Sequence, residues 1–424
     1  MPPKATPILV TDQAIAFAPA IPREVQSALA KIHTRRALLA APLYQQWQPA
    51  IDAVTDGLCY DGPATAPLPT PQGFIRVVTW NIQRGIHADG QIQLLRSHPV
   101  LADADVILLN EVDLGMARSG NRDVAKEMAQ ALGFAYVFGN SYLCLDHGDV
   151  RDVRDGHSGE ANQQGLHGNA ILSRLPIRRA QNISIAITKD KFQSRNEKRL
   201  GHKKALLAEL DTPWGPLCCV AAHLDPIGSP LQRAHQLRDI IAAIDAQGCQ
   251  QVLIGGDFNT TTYDLASMPR LLGNLARKFL RGGIPHAVAH YMQPWTLYER
   301  PVFDVLREHA FETGPFNDLT TGTMRYEVGD FDSESKVRDF LPGFAVSFLR
   351  WRLKPWNGVA PLKIDWFAAR GLQVAPVTPA DDATQRASVA PMVVERATWQ
   401  GQRLADHDPV VVDVVGSTLA KTFP

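Results

Sequence analysis

The sequence lacks the charge excess and the apolar runs that mark nucleic-acid-binding and membrane proteins. Its 424 residues contain 43 Lys plus Arg and 43 Asp plus Glu, so any nucleic-acid role would have to rest on local charge. No uninterrupted apolar run approaches the roughly 18 residues of a membrane span. The opening residues, MPPKATPILVTDQ, contain one Lys and a very short apolar patch, which is atypical of a signal peptide. We expect a soluble, cytoplasmic, monomeric protein without a transmembrane segment.

Cysteine is scarce as well. The five cysteines are odd in number and lack the spacing of a metal site, and two of them are adjacent in an apolar run. They are Cys59, Cys144, Cys218, Cys219 and Cys249. This pattern predicts buried free thiols in a reducing compartment rather than disulfides.

Proline is concentrated at one end of the chain, since 11 of the 30 prolines lie in the first 72 residues. Between the proline clusters, Val25, Leu29, Ile32 and Leu39 follow helical spacing, and Pro22 suits a first helical position. We predict an N-terminal helical extension over residues 1–72, with one amphipathic helix from Pro22 to about residue 41 and a Pro-rich linker over residues 62–72. A larger domain follows over residues 73–418.

From residue 74 onward, apolar runs typical of strands alternate with helical patterns. We predict helices over residues 122–132, stopped by Gly133, and 231–246. The predicted strands cover residues 74–80, 106–110, 170–172, 205–210, 217–222, 252–255, 362–367 and 410–415. This alternation indicates an α/β core with mixed strand order.

Two segments depart from this pattern. Residues 145–166 are polar and predict a loop, either solvated or at the rim of a site. Residues 262–361 are nearly balanced in charge, and their aromatic and proline content argues against disorder, so we expect an inserted lid or wall on the core.

Carboxylate, amide and imidazole side chains lie at the ends of several predicted strands, where one sheet could bring them to a single edge. Seven motifs in this order resemble the endonuclease/exonuclease/phosphatase superfamily, which includes deoxyribonuclease-I-like nucleases. They are Thr79-Trp80-Asn81, Asn110-Glu111-Val112-Asp113, Gly168-Asn169-Ala170-Ile171-Leu172-Ser173-Arg174, Ala222-His223-Leu224, Gly256-Asp257-Phe258-Asn259, Ile364-Asp365-Trp366 and Asp406-His407-Asp408-Pro409.

The resemblance spans about residues 74–415, with 262–361 unmatched in detail. It implies a four-layer α/β/β/α sandwich of two packed mixed β-sheets, with the site at one edge. It also implies a hydrolase of phosphate esters that uses Mg²⁺ or Mn²⁺. Hydrolysis of a phosphate ester needs a water nucleophile and neutralisation of charge on the phosphoryl and leaving oxygens, which a hard divalent cation supplies.

The metal ligands implied by the resemblance are Glu111, Asn81 and Asp406. Mg²⁺ prefers oxygen ligands and keeps several waters, so one or two carboxylates suffice. Taken alone, Glu111 could be a solvated strand-end carboxylate, and Asn81 could cap a turn.

The catalytic residues implied are His407, Asp257, His223, Asp365 and Asn259. Asp257 and Asn259 lie two apart on an extended segment, so both side chains can face one phosphate. Asp365 would accept from one ring nitrogen of His407 and fix its tautomer. His223 would contact the phosphate or protonate a leaving group. Whether Asp257 or His407 is the general base stays open, as does the choice between one metal and two.

Three further residues are assigned to substrate binding: Asn169, His167 and Arg118. Residues 197–204 depart from the family pattern, because relatives often carry Glu-Pro-Arg-Gly-Ala before this strand. Arg199 is off register here, and Lys203 and Lys204 precede the strand. The basic run could contact phosphate, but a solvated charged stretch is the favoured interpretation.

Several functions compete within this interpretation. A nuclease acting on DNA or RNA is weakened by the neutral charge. A lipid or inositol headgroup phosphoesterase gains slight support from an aromatic and basic stretch over residues 340–351. This stretch could make peripheral membrane contact, but packing as a lid on the core is the favoured interpretation. A scaffold without activity would have lost site residues, and none is missing. The substrate depends on residues 145–166 and 262–361, where no pattern is recognisable.

Overall fold

The computed structural model describes residues 8–9, 20–62, 73–146, 148–149, 151–152, 157, 159–193, 197–330, 347, 350–351, 353–378 and 386–417. Two large β-sheets pack face to face, and helices cover their outer faces.

Sheet A has six strands and mixed direction. In spatial order they are β1 (Ile8–Leu9), β7 (Ile177–Ser184), β9 (Lys204–Thr212), β10 (Gly215–His223), β11 (Gln251–Asp257) and β14 (Asp365–Arg370). Within it, β10 and β11 are parallel, and β14 is antiparallel to β11.

Sheet B has nine strands. In spatial order its main path is β15 (Leu372–Val374), β19 (Val410–Gly416), β3 (Ile75–Arg84), β4 (Val106–Leu114), β6 (Leu166–Ser173), β5 (Ala135–Cys144) and β2 (Leu58–Asp61). Two short strands join it at the side, β8 (Arg199–Gly201) against β5 and β16 (Met392–Val393) against β19. Two separate pairs are β12 (Met324–Glu327) with β13 (Val359–Leu362) and β17 (Thr398–Trp399) with β18 (Gln402–Arg403).

The α-helices of the described residues cover both sheets or extend from them. They are α1 (Arg23–Ala30), α2 (Arg35–Ala40), α3 (Pro42–Thr55), α4 (Ala88–Ser97), α5 (Val124–Leu132), α6 (Pro230–Ala246), α7 (Met268–Leu280), α8 (Gly283–Met292) and α9 (Arg300–Glu308).

The strand period of two divides the apolar residues among three cores. Val77 of β3 and Leu253 of β11 point between the sheets, while their neighbours Val78 and Ile254 point to the outer helices. Helices α1 to α5 cover sheet B, and α6 and α9 cover sheet A. This arrangement confirms the four-layer α/β/β/α sandwich predicted from the sequence.

The predicted helix ends agree with their capping chemistry. Helix α5 ends at Gly133, whose φ of 72° is the left-handed conformation that glycine adopts without strain. Helix α6 begins with Pro230 after Ser229, which forms a reciprocal capping box with Gln232. Both helices lie within two residues of the predicted bounds.

The N-terminal segment differs from the single helix predicted between Pro22 and residue 41. A second helix begins there because the side chain of Thr34 accepts a hydrogen bond from the Ala37 backbone, and Pro42 opens a third. Leu29 and Leu38 pack in the same core as sheet B. The described part of the segment therefore belongs to an outer layer. The domain limits at 72 and 418 stay a prediction, and the linker over residues 63–72 lies outside the described residues.

The cysteine prediction is partly wrong. Cys59, Cys144 and Cys219 are buried free thiols, but Cys218 and Cys249 form a disulfide. Parallel pairing of β10 with β11 brings these two Cα atoms to within 6.2 Å of each other although 31 residues separate them in sequence. The spacing of the cysteines alone does not reveal this proximity.

The cytoplasmic location was inferred partly from the expectation of free thiols, and it stays a prediction. Among the described residues, no helix has the length and apolar character needed to cross a membrane.

The insertion contains α7, α8, α9 and the β12–β13 pair. Its strand β12 reaches the edge of the core, where Met324 forms an isolated bridge with His407, and the hydroxyl of Thr323 accepts from the Asp365 backbone (3.1 Å). Trp351 is 58% exposed, whereas Phe344 and Phe348 lie outside the described residues. The described part of the insertion is therefore a wall beside the predicted site.

Candidate active site

Strand pairing collects the predicted catalytic residues at one edge of the two sheets. In sheet A, His223 is opposite Asp257 in the parallel β10–β11 pair, and Asp257 is opposite Asp365 at the start of the antiparallel β14. In sheet B, Asn81 is the register partner of Asn110, next to Glu111. Carboxyl ends of parallel strands lie at the same edge, so residues far apart in sequence become neighbours.

Asp257 occupies the centre of this group. Its Oδ2 accepts hydrogen bonds from the amides of Asn259 (2.9 Å) and Asn81 (3.3 Å), and the same oxygen lies 3.5 Å from His223 Nε2 and 4.0 Å from His407 Nε2. Its backbone N–H donates to Asn110 (2.9 Å). One carboxylate oxygen thus contacts or faces four of the residues singled out from the sequence.

The charge state of Asp257 reflects its burial. Burial raises the pKa of the Asp257 carboxyl, and the positive charge of His407 offsets only part of that effect. A buried carboxyl of raised pKa holds a proton more strongly than an exposed one, which suits it to accept a proton in a reaction.

His407 and Asp365 form a buried imidazole–carboxylate pair. Nδ1 of His407 donates to Asp365 Oδ2 at 2.8 Å, and the indole of Trp80 donates to the His407 backbone carbonyl at 3.0 Å. Burial alone would lower the pKa of His407, but Asp365, Asp406 and Asp257 outweigh it and raise the pKa to about 10. The second ring nitrogen is left facing Asp257.

His223 has the opposite electrostatic setting. Burial, reinforced by the neighbouring Lys203, places the pKa of its imidazole well below the ordinary value. The site therefore combines one histidine that favours the protonated form with one that favours the neutral form.

Backbone irregularities accompany the predicted metal ligands. The pairing of β3 with β4 shifts register after Asn81, and that of β4 with β6 shifts around Glu111. Glu111 has a φ of 53°, which is unusual for a residue other than glycine. Bulges redirect side chains at strand ends, and strained backbone concentrates at functional positions. Here they turn the Glu111 carboxylate out of the sheet, leaving it 29% exposed.

The side-chain oxygens of Glu111, Asn81 and Asp406 are of the kind that a hard divalent cation binds. Burial pushes the pKa of Glu111 upward, but His167 and Arg84 bring it below the ordinary value, so the carboxylate is ionised. Among the described residues it makes no hydrogen bond, and its closest ionic neighbour is His223 at 4.0 Å. The amide oxygen of Asn81 accepts from the Gln83 backbone and retains a free lone pair. Asp406 is half-buried beside His407.

A second acidic group lies deeper in the site. Ligand atoms of Asp257, Asp365 and His407 are within 4.8 Å of one another, and Asp365 Oδ1 is buried without a hydrogen-bond partner. The imidazole of His407 already donates to Asp365, however, and Mg²⁺ prefers oxygen ligands. Glu111 remains the better first ligand for that ion.

The predicted substrate-binding residues lie behind this surface. Asn169 accepts from the Asn110 amide (2.9 Å) and donates to the Lys204 carbonyl (2.8 Å). Because Asn110 also holds the Asp257 backbone, Asn169 is linked to the site through another side chain.

Arg118 and His167 are buried in an ion-pair network. Arg118 binds Asp113 with two nitrogens (2.6 and 2.9 Å) and Glu197 with a third (3.0 Å), and His167 Nδ1 donates to the same Asp113 (2.7 Å). The guanidinium is fully buried, so it supports His167 and does not reach a ligand directly.

The basic run over residues 197–204 is not the solvated stretch predicted from the sequence. Lys204 is fully buried and pairs with Asp56 (3.0 Å), and Arg199 pairs with Glu197. Lys203 donates to the Leu224 carbonyl (3.1 Å), the acceptor that also binds the Asn259 amide. Burial lowers the pKa of Lys203, opposed by the carboxylates Asp225, Asp257 and Glu111. Lys203 thus lies at the site, whereas the sequence favoured a solvated position for it.

Arg84 is a residue that sequence reasoning missed. Its guanidinium binds Asp152 (2.8 Å) and Asp149 (2.6 Å), which belong to the loop over residues 145–166. These two residues of the loop are therefore tied to the strand end that carries Asn81. The many aspartates of the loop were a signal that it binds a cationic side chain, but the sequence does not indicate that this side chain is the distant Arg84.

Comparison with known proteins identifies the family of the chain. Residues 78–378 match the model of a family described as Endonuclease/Exonuclease/phosphatase family. No curated protein matches the sequence.

Several solved structures are similar to the chain at low identity. An endonuclease/exonuclease/phosphatase from Beutenbergia cavernae DSM 12333 is 18% identical, with a TM-score of 0.47, over 81% of this chain and 72% of that one. The 3′ phosphatase NExo from Neisseria, bound to product DNA hairpin, is 13% identical, with a TM-score of 0.42, over 80% and 98%. A humanized D. rerio TDP2 is 12% identical, with a TM-score of 0.41, over 81% and 100%.

Proposed function

Because the chain belongs to the endonuclease/exonuclease/phosphatase family, we propose that it is a phosphodiesterase or phosphatase that uses a divalent cation, Mg²⁺ or Mn²⁺. The observation that carries the proposal is the position of Asp257, whose Oδ2 faces both histidines and accepts from both asparagines. Such a group of acid, base and amide donors around one point suits attack of water on phosphorus.

In this proposal Asp257 orients the attacking water and accepts its proton. The raised pKa of the carboxyl favours that role, and the Asn259 and Asn81 amides fix the carboxylate plane. His407 cannot serve readily as the base, because the surrounding carboxylates favour its protonated form. We assign His407 instead to stabilising charge on the phosphoryl oxygens, with Asp365 holding the ring through Nδ1.

His223 and Glu111 complete the proposed site. The neutral imidazole of His223 keeps one N–H, which can donate a hydrogen bond to the leaving oxygen, and we assign His223 this role; the leaving oxygen takes its proton from solvent. Glu111, Asn81 and Asp406 would hold the cation, which when bound neutralises charge on phosphoryl and leaving oxygens.

A metal titration tests the cation part of this proposal. We expect hydrolysis of bis(p-nitrophenyl) phosphate or p-nitrophenyl phosphate to require Mg²⁺ or Mn²⁺ and to stop in EDTA. The variant Glu111→Gln should raise the metal concentration for half-maximal activity about 10- to 100-fold, the usual effect of weakening a metal site. Glu308→Gln, a change at an exposed carboxylate on α9, is the matched control. Full activity of the wild type in EDTA would remove the cation from the proposal.

The substrate class needs a separate screen. The wild type should be compared on nicked and single-stranded DNA, RNA, sphingomyelin and inositol phosphates, each with and without metal. The near-neutral charge argues against strong general affinity for nucleic acid, and lower activity on DNA and RNA than on smaller esters is expected. Preferential cleavage of DNA or RNA would make the chain a nuclease.

A further inference from the structure

Helix α7 of the insertion carries an exposed apolar stripe. Met268, Leu272 and Phe279 are 54%, 57% and 71% exposed, and their spacing places them on one side of the helix. Leu280, at the C-terminal end, is 84% exposed. Single exposed apolar residues are ordinary on protein surfaces, but a continuous stripe along a helix is not.

The opposite side of α7 is held to the protein by polar groups. The Asn274 amide donates to the Thr262 carbonyl (3.3 Å), and Lys278 Nζ donates to the Thr262 hydroxyl (2.8 Å). The same ammonium lies 3.4 Å from the centre of the Tyr263 ring. These contacts fix the helix in an orientation that directs its apolar stripe away from the core. The usual arrangement, with apolar residues inward and polar residues outward, is reversed at the stripe and at Asn274 and Lys278, although Leu271 is buried.

The surroundings of the stripe are positively charged. No Asp or Glu occurs in the sequence from residue 268 to residue 298. Arg270, Arg277 and Arg281 are exposed, and none of them forms an ion pair within the described part of the chain. The helix thus has an apolar stripe on one side and arginines without ion pairs on another, which is complementary to a partner that is apolar in its interior and negative at its surface.

We propose that α7 binds the surface of an anionic lipid membrane, with Met268, Leu272 and Phe279 among the acyl chains and the arginines at the headgroups. Basic amphipathic helices bind membranes by this combination of burial and charge. Nucleic acid would engage the arginines but leave the apolar stripe in water. A second copy of the chain, related by a two-fold axis, would bring arginines of both copies together. The proposal does not depend on the hydrolase activity proposed above.

Co-sedimentation with vesicles tests the proposal on the full chain. We expect the wild type to sediment with vesicles of phosphatidylcholine and phosphatidylglycerol at low salt, less at high salt, and little with phosphatidylcholine alone. Absence of binding to the anionic vesicles at low salt would overturn the proposal.

Paired variants separate the apolar contribution from the charged one. Leu272→Ser/Phe279→Ser should reduce partitioning at least about tenfold, since two apolar side chains no longer enter the acyl boundary. Ile187→Ser/Leu231→Ser, at positions that are each 63% exposed outside the insertion, should bind like the wild type. Arg270→Gln/Arg277→Gln should reduce partitioning roughly 30-fold, about fivefold for each arginine near an anionic surface. Arg23→Gln/Arg36→Gln is the matched control, on exposed arginines of α1 and α2.

Two further measurements make the outcome decisive. Unchanged melting temperatures of all variants would show that lost binding is not lost folding. Sedimentation velocity of the wild type should show a monomer, and a dimer that dissociates in Leu272→Ser/Phe279→Ser would identify a second copy as the partner and overturn the proposal. The proposal would also be overturned if both α7 variants bound anionic vesicles as strongly as the wild type does.

Discussion

Asp365 shows how one buried carboxylate can control another residue in the candidate site. Its Oδ2 accepts from His407 Nδ1, and its backbone N–H donates to Thr323 in the insertion. The hydrogen bond fixes which nitrogen of His407 carries the proton, and the negative charge favours the imidazolium. The orientation and the charge of His407 thus both depend on Asp365.

Replacing Asp365 by Asn should therefore impair catalysis more than binding. We expect Asp365→Asn to lower kcat about 100- to 10,000-fold, because the imidazole loses both its fixed tautomer and the charge that stabilises its protonated form. KM should change little. Steady-state kinetics against Asp304→Asn, a change in a surface ion pair of α9, provide the comparison. An unchanged kcat in Asp365→Asn would remove Asp365 from the catalytic site.

His202 makes stability depend on pH through its burial. Burial lowers its pKa to about 4, with a further contribution from Lys204, and its Nε2 is buried without a hydrogen-bond partner. The unfolded chain takes up a proton on this ring near pH 6.5, whereas the folded chain does not until about pH 4. This contribution to stability is complete above about pH 6.5 and is lost as the pH falls towards 4.

Urea unfolding across this range tests the assignment. Replacement of His202 by Gln should flatten the dependence of the unfolding free energy on pH between about 4 and 6.5. His33→Gln, at an exposed position, should keep the wild-type slope. An identical slope in His202→Gln and the wild type would mean that His202 does not control it.

At the scale of elements, the sequence predicted the regular strands and helices well but did not predict the irregularities in strand pairing. Helix α6 was predicted to within one residue and strand β11 to within two, because apolar periodicity and capping residues mark them. The register shifts beside Asn81 and Glu111 depend on the neighbouring strands and leave no local signal. The position of Lys203 was missed for a similar reason, since only the fold shows that its neighbours are carboxylates.

Close contact between β10 and β11 should make Gly256 irreplaceable. Its φ is +145°, and an added Cβ would lie 1.9 Å from the Ala222 carbonyl oxygen. We expect Gly256→Ala to lower the unfolding free energy by more than about 3 kcal/mol, because both the strain and the clash fall on backbone. Gly273→Ala, inside α7 with nothing within 4 Å of the added atom, should instead stabilise by up to about 1 kcal/mol. Equal effects of the two changes in urea unfolding would contradict this account.

At the scale of the whole molecule, the sandwich builds the site from both sheets. Asn81 and Glu111 come from sheet B, whereas His223, Asp257 and Asp365 come from sheet A. Sequence motifs singled out these residues, and the family model matches the segment that contains them. No sequence motif predicted where the N-terminal helices and the insertion pack, because their packing depends on contacts with elements that are distant in sequence.

The disulfide can be tested directly by counting the free thiols of the protein. Cys218 and Cys249 lie on neighbouring strands or their connection, and the other three cysteines are free. Titration of the unfolded protein with a thiol reagent should give three reactive thiols without reductant and five after reduction. Five thiols in unreduced protein would show that the pair is a dithiol, as the composition first predicted.

The central claim is that Asp257 and His407 perform chemistry on a phosphate ester. The most direct measurement is metal-dependent hydrolysis of bis(p-nitrophenyl) phosphate by the wild type, Asp257→Asn and His407→Ala, each shown to be folded by its melting temperature. We predict a hydrolysing wild type and a loss of at least about 1,000-fold in kcat/KM in each variant. Wild-type activity retained in both variants would contradict the account.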